Sequence, residues 1–203
     1  MHLVIIIIII IIIIQHITAA CEQLAPTDYV KKHDGLAKVI HQKLAETAEL
    51  IDDKIPYYKY TPANVLENEN FKQFWNRNIL TEKTIPFNRI DITFMNKKTK
   101  NTFLIDIAVP STHNLSRTTT DKQNKYQELA KAAQAIPIVI SSTGVIPKSL
   151  SQSLTRLNLH PNIYIYTTAK ICNSWQTFNC KKLFKLQIRP PSLILLITTS
   201  QGR

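Results

Sequence analysis

Two short segments dictate most of what this chain can fold into. Arg89–Met95 and Thr102–Val109 are rich in β-branched and aromatic residues and alternate polar with apolar positions. Between them lies the turn-like Lys97-Lys98-Thr99-Lys100. The pattern predicts an antiparallel hairpin. A turn centred between Lys98 and Thr99 sets Asp91 opposite Asp106, and directly opposed residues have Cβ atoms about 4.5–5.5 Å apart. Asp106 lies between Leu104-Ile105 and Ile107-Ala108 in a segment that otherwise asks for burial. Asp is disfavoured in strands and rarely buried unpaired. Two carboxylates this close repel unless a cation sits between them or one is protonated. Two readings follow. A Mg2+ ion, which takes one or two carboxylates and keeps several waters, joins them and activates water; or Lys and Arg side chains neutralise both.

The flanking sequence predicts an α/β fold. Pro110–Thr118 reads as a polar loop, and Thr119–Ala135 as a helix with Asp121 near its positive end. Ile136–Ile140 is a short apolar run suited to a buried strand. Strand, helix, strand implies a parallel pair joined by a crossover, hence a mixed sheet with flanking helices. A helix over Lys148–Leu157 and a strand over Asn162–Tyr166 follow. Upstream, Leu36, Ile40, Leu44 and Ala48 recur every four residues, predicting a helix from Asp28 to Asp52 with a break at Gly35. A short helix is expected over Glu67–Asn76, with Phe71 and Trp75 four apart. On the crossover helix, Lys122, Lys125, Tyr126 and Leu129 share one face. A lysine aimed at the carboxylate pair would hold the attacking water or a phosphate; the other reading is a solvated basic helix.

Lys and Arg number 25 against 14 Asp and Glu, a net +11. The excess favours nucleic acid as partner, because basic surfaces bind phosphate by releasing counterions; solubility charge is the plainer reading. Three scattered cysteines, Cys21, Cys172 and Cys180, exclude a disulfide scaffold and point to an intracellular, reducing setting. The ten isoleucines from Ile5 to Ile14 extend an apolar run too short to cross a bilayer, which takes about 20 residues. No membrane role is expected of that low-complexity run. Tyr57, Tyr58 and Tyr60, interleaved with Lys54 and Lys59, and the hairpin-tip lysines Lys97, Lys98 and Lys100 are candidate phosphate or base contacts. Phe71, Phe74 and Trp75 read as core before stacking residues. His33, His41, His113 and His160 read as surface or turn residues before ligands.

Three runs carry a resemblance: Asn88-Arg89-Ile90-Asp91-Ile92; Thr102-Phe103-Leu104-Ile105-Asp106-Ile107-Ala108-Val109-Pro110; and Asp121-Lys122-Gln123-Asn124-Lys125-Tyr126. Together they resemble the C-terminal restriction-like endonuclease of site-specific non-LTR retrotransposon reverse transcriptase polyproteins, a variant PD-(D/E)xK nuclease. Lys32-His33-Asp34 resembles the basic-His-Asp motif that precedes that core. The likeness runs from about His16 to Ile165. It implies a restriction-endonuclease-like core in which Asp91 and Asp106 are the metal ligands. Lys122 is then the catalytic lysine, Lys125 and Tyr126 are accessory positions, and Lys32 and His33 join the tip lysines and Tyr126 in nucleic-acid binding.

Three departures stand out. Ile90 replaces the family's proline before the aspartate. Of a CCHC zinc knuckle only His16 and Cys21 are legible, and two ligands do not make a structural zinc site, so zinc is not expected. The segment after Ile165 does not read like the family's end. The expected layout is a polyisoleucine run (1–15), a knuckle and Lys-His-Asp remnant (16–34), a nuclease domain (35–166) and a divergent tail (167–203). The expected function is Mg2+-dependent nicking of DNA by a fragment of a transposable element, nuclear or cytoplasmic, without polymerase activity. Its further partners are retroelement RNA or the missing polymerase portion. The rival expectation is a non-catalytic basic DNA-binding remnant or a functionless retroelement fragment.

Overall fold

A computed structural model describes residues 4–9, 25–51, 55–78, 89–126, 133–160 and 162–163. His16, the three cysteines, the predicted helix beyond Tyr126 up to residue 132, and the tail all lie outside these residues. So do residues 164–166 of the strand expected over Asn162–Tyr166.

A five-stranded sheet runs in sequence order, β1 (Val65–Glu67), β2 (Phe71–Asn78), β3 (Arg89–Asn96), β4 (Asn101–Ala108) and β5 (Gln134–Val139). The first four strands are antiparallel, and β5 lies parallel to β4. The protein is therefore α/β with a mixed sheet flanked by helices. Helix α1 (Ala25–Thr47) and helix α3 (Lys148–Arg156) share one large core with Ile92, Phe94, Ile105, Ile107, Ile136 and Ile138. Helix α2 (Leu115–Lys125) packs on the opposite face, where Leu115 meets Ala108 and Val139. Among the described residues no helix is long and apolar enough to cross a membrane. Residues 4–9 are helical with exposed side chains.

The β3–β4 hairpin has the register that the turn position predicts, with Asn96 opposite Asn101 and Ile92 opposite Ile105. Asn96 closes the turn by accepting the Lys98 and Thr99 backbone N–H groups at 3.0 Å each, and Lys100 adopts a left-handed φ of 56°.

Other expectations are corrected. The segment expected as a helix over Glu67–Asn76 is the end of β1, a turn and most of β2. A spacing of four fits a helical face and, equally, a strand face with period two. Here Phe71, Gln73 and Trp75 face the core together, and aromatics favour strands. Gly35 does not break α1: it is buried within a continuous helix. Burial of Leu36, Ala37 and Ile40 beside it outweighs the ~1 kcal/mol propensity cost of glycine. The boundary expected between residues 34 and 35 therefore falls inside one helix. α1 ends at Thr47, earlier than expected. Glu49, with φ 54°, donates to Glu46 O and Leu50 to Ala45 O, the paired bonds of a Schellman ending. The loop expected over Pro110–Thr118 is a 3-10 turn, Thr112–Asn114, running directly into α2 at Leu115. Ala133–Ala135 belongs to β5 and its approach, not to the crossover helix.

Candidate active site

The regular β3–β4 pairing stops at Ile92 and Ile105. The next facing residues are Asp91 and Asp106, and there the strands part. The Ile107 N–H donates to Asp91 Oδ2 at 2.7 Å, so a carboxylate oxygen takes the place of a main-chain acceptor. On the other flank, Asn76 is the β2 residue level with Asp91; it drops out of the ladder and has φ 50°, a conformation Asn tolerates better than most residues. Past this irregularity Ile90 packs with Leu104 and Tyr126, while Ile92 packs in the α1-side core. β3 thus turns over at Asp91 and frees its side chain from a plain strand position.

Each acid is met by cations from a different helix. From α1, His33 Nε2 lies 3.3 Å from Asp91 Oδ2, and its Nδ1 lies 3.1 Å from Asp34 Oδ1. Burial alone would raise the Asp91 carboxyl. The His33 ring, the Ile107 N–H and direct interaction with Asp106 together hold it below the usual carboxylate range. Burial pulls His33 down, but its bonds to Asp91 and Asp34 win and hold the ring above its ordinary value. From α2, Lys122 Nζ sits 2.7 Å and Lys125 Nζ 3.5 Å from Asp106 Oδ2, whose side chain is only 6% exposed. A buried carboxylate needs such partners, since leaving it unpaired costs several kcal/mol, about 3–5. Lys125 also lies 4.7 Å from the Tyr126 ring centroid. The buried Tyr126 hydroxyl is pushed far up by burial and then by the Asp106 charge, so it stays a neutral phenol.

Asp91, Asp106, Lys122, Lys125, Tyr126 and His33 therefore come together, although the first four come from two strands and a helix and His33 from a helix 58 residues before Asp91. Sequence reasoning missed Tyr29. Its ring stacks on His33, centroids 5.9 Å apart at 26°. Its hydroxyl is raised by burial and then by Asp91 and Asp106. The legible signal was its place four residues before His33, on the same helix face.

The other expected contacts are not in this cluster. Lys32 is 3% exposed, so it cannot serve as a surface phosphate contact; its side of α1 faces inward. Lys97 is tied to Glu67 at 2.5 Å and donates to Asn68 O at 2.7 Å, whereas Lys98 and Lys100 are exposed. All three lie at the far end of the hairpin, six or more residues from the aspartates and so roughly 20 Å away at strand rise. Tyr58 is exposed, while Tyr60 is buried against His41, which is itself a core residue and not a surface or turn histidine.

Two adjacent carboxylates suit a hard divalent cation, which needs one or two and takes water for the rest. Among the described residues no group of three or more His, Cys, Asp and Glu side chains could hold a metal by itself. No protein-family model and no curated protein matches the chain.

Proposed function

We propose that this chain is a metal-dependent nuclease with a restriction-endonuclease-like core, cutting one strand of DNA, and that it descends from a non-LTR retrotransposon. The observation that carries the reading is the convergence of Asp91 and Asp106 with an ammonium, Lys122 Nζ, 2.7 Å from the second acid. Asp91 and Asp106 would hold the Mg2+ ion. When bound, the ion supplies Lewis-acid polarisation of the phosphate and an acidified water.

The chain's own groups do the rest. The Ile107 N–H and His33 fix the orientation of Asp91 and keep it ionised, ready to bind a cation. Lys122 and Lys125 exchange part of their hold on Asp106 for a phosphate oxygen. Preorganised donors aimed at developing charge matter on this scale: loss of a single oxyanion-hole donor costs about 2.7–4 kcal/mol. Tyr126 and the buried sheet behind it exclude water from the rear of the pair.

A second reading, a non-catalytic basic DNA-binding module, draws on the same ion pairs, because Lys122 and Lys125 already neutralise Asp106. Plasmid nicking with Mg2+ separates the two. The enzyme reading expects wild-type nicking that Asp106→Ala abolishes. Nicking that survives the substitution overturns it, and DNA binding without nicking by either protein selects the second reading.

A further inference from the structure

At the opposite end of the hairpin from the aspartates lies a cleft of about 290 Å³ that no step above uses. Its floor is a row of rings crossing three strands. Phe71 and Phe94 stack at 5.4 Å and 16°, and Phe94 and Phe103 at 6.5 Å and 25°. The floor is open because α1 and α3 both end short of it. Their last residues, Thr47 and Ala48 on one side and Arg156, Leu157 and Asn158 on the other, form the walls. The rim carries the amides of Asn101 and Asn158. Thr99, between the exposed Lys98 and Lys100, also lines the cleft.

These features select a ligand. Two helix C-termini face the cavity, and their partial negative charge disfavours an anion inside it. An aromatic floor with neutral amides in the lining suits a planar heteroaromatic ring. The cations at hand are Arg156, which lines the cleft with its guanidinium 3.1 Å from Gln134 Oε1, and the exposed Lys98 and Lys100 on either side of the lining residue Thr99. The volume is at the small end of ligand pockets, about 300 Å³, enough for one ring system and not for a drug-sized molecule. We infer that this cleft receives a single unpaired nucleobase, with the flanking phosphates of its strand on Lys98, Lys100 and Arg156. Base stacking on an aromatic platform is tolerant of sequence, so the site grips a strand without reading it. The inference rests on the nucleic-acid partner of the reading above, and not on its chemistry.

The test uses the full chain in EDTA, where no cutting occurs, and two fluorescent eight-nucleotide probes. One is oligothymidylate; the other is the same backbone without bases. The expected result is a preference for the base-bearing probe on the order of tenfold. Phe103→Leu and, separately, Asn101→Ala should reduce that preference while leaving the abasic probe's affinity unchanged. Lys98→Glu with Lys100→Glu, on an exposed turn that does not touch the core, should weaken both probes equally. Equal binding of the two probes by the wild-type chain, or a preference that survives both cleft variants, overturns the cleft and leaves the nuclease reading untouched. Binding of neither probe overturns the cleft, and binding of duplex plasmid in EDTA then decides separately whether the nucleic-acid partner falls with it.

Discussion

Two histidines of α1 sit two helical turns apart in opposite surroundings. His41 is fully buried, with Nδ1 2.8 Å from the Tyr60 hydroxyl and its ring edge-on to Trp75 at 5.3 Å. Its Nε2 has no hydrogen-bond partner among the described residues, and burial pushes the ring down to about 4. His33 is partly exposed and lies between two carboxylates, which hold it above its ordinary value. One residue type thus serves as scaffold at one position and as a bridge between two carboxylates at the other. The partner, more than the depth, decides which.

The signs of their pH dependence differ. His41 takes up a proton more readily unfolded, near 6.5, than folded, near 4. It costs stability as pH falls through that interval, up to roughly 3 kcal/mol once below it. His33 binds its proton more tightly when folded. Its contribution is complete below about 6.5 and is lost as pH rises through its raised value. Asp91 is the mirror case: its contribution is present above about 3.9 and lost as pH falls through its lowered value.

The largest expected effect that would break this contrast is on global stability. His41→Ala should lower urea-unfolding stability at neutral pH by about 2–4 kcal/mol, through a cavity and an unpaired Tyr60 hydroxyl. His33→Ala should stay within about 1 kcal/mol. Comparable losses at both positions would erase the distinction between scaffold and cluster. The next effect is a slope. Between pH 6.5 and 4, His41→Gln should lose stability more gradually than wild type in a urea series, while His33→Gln should leave the part of the slope due to His41 in place. The smallest is spectroscopic. Asp91→Asn should shift the His33 ring titration, followed by NMR, downward and leave His41 where it was; an unmoved His33 would show that Asp91 is not its main partner.

The sequence exposed the hairpin well because a turn position and an alternating pattern fix register together, and register fixes which acids face each other. Lys122 and Lys125 were legible for a similar reason, since three residues along a helix return to one face. β2 was hidden because its aromatics obey both periods at once, and β1 because three residues show no period. The ends of α2 were misplaced because it buries one residue, Leu115, and so leaves little hydrophobic pattern to read. His33 reached the site through resemblance alone, and Tyr29 was missed altogether. Contacts across 58 residues of chain depend on how α1 lies over the sheet, which no local spacing encodes. Lys32 entered by the same resemblance, which says nothing of burial, and its place on the helix put it inside.

The Asp91 carboxylate stitches two diverging strands together by accepting the Ile107 N–H. The fold could lose Lys122 and still leave the buried Asp106 one ammonium, Lys125 Nζ, at 3.5 Å. It could not trade Asp91 for leucine without orphaning an amide between two sheet strands. The demands of folding alone would thus suffice to retain that aspartate, whatever the chain does.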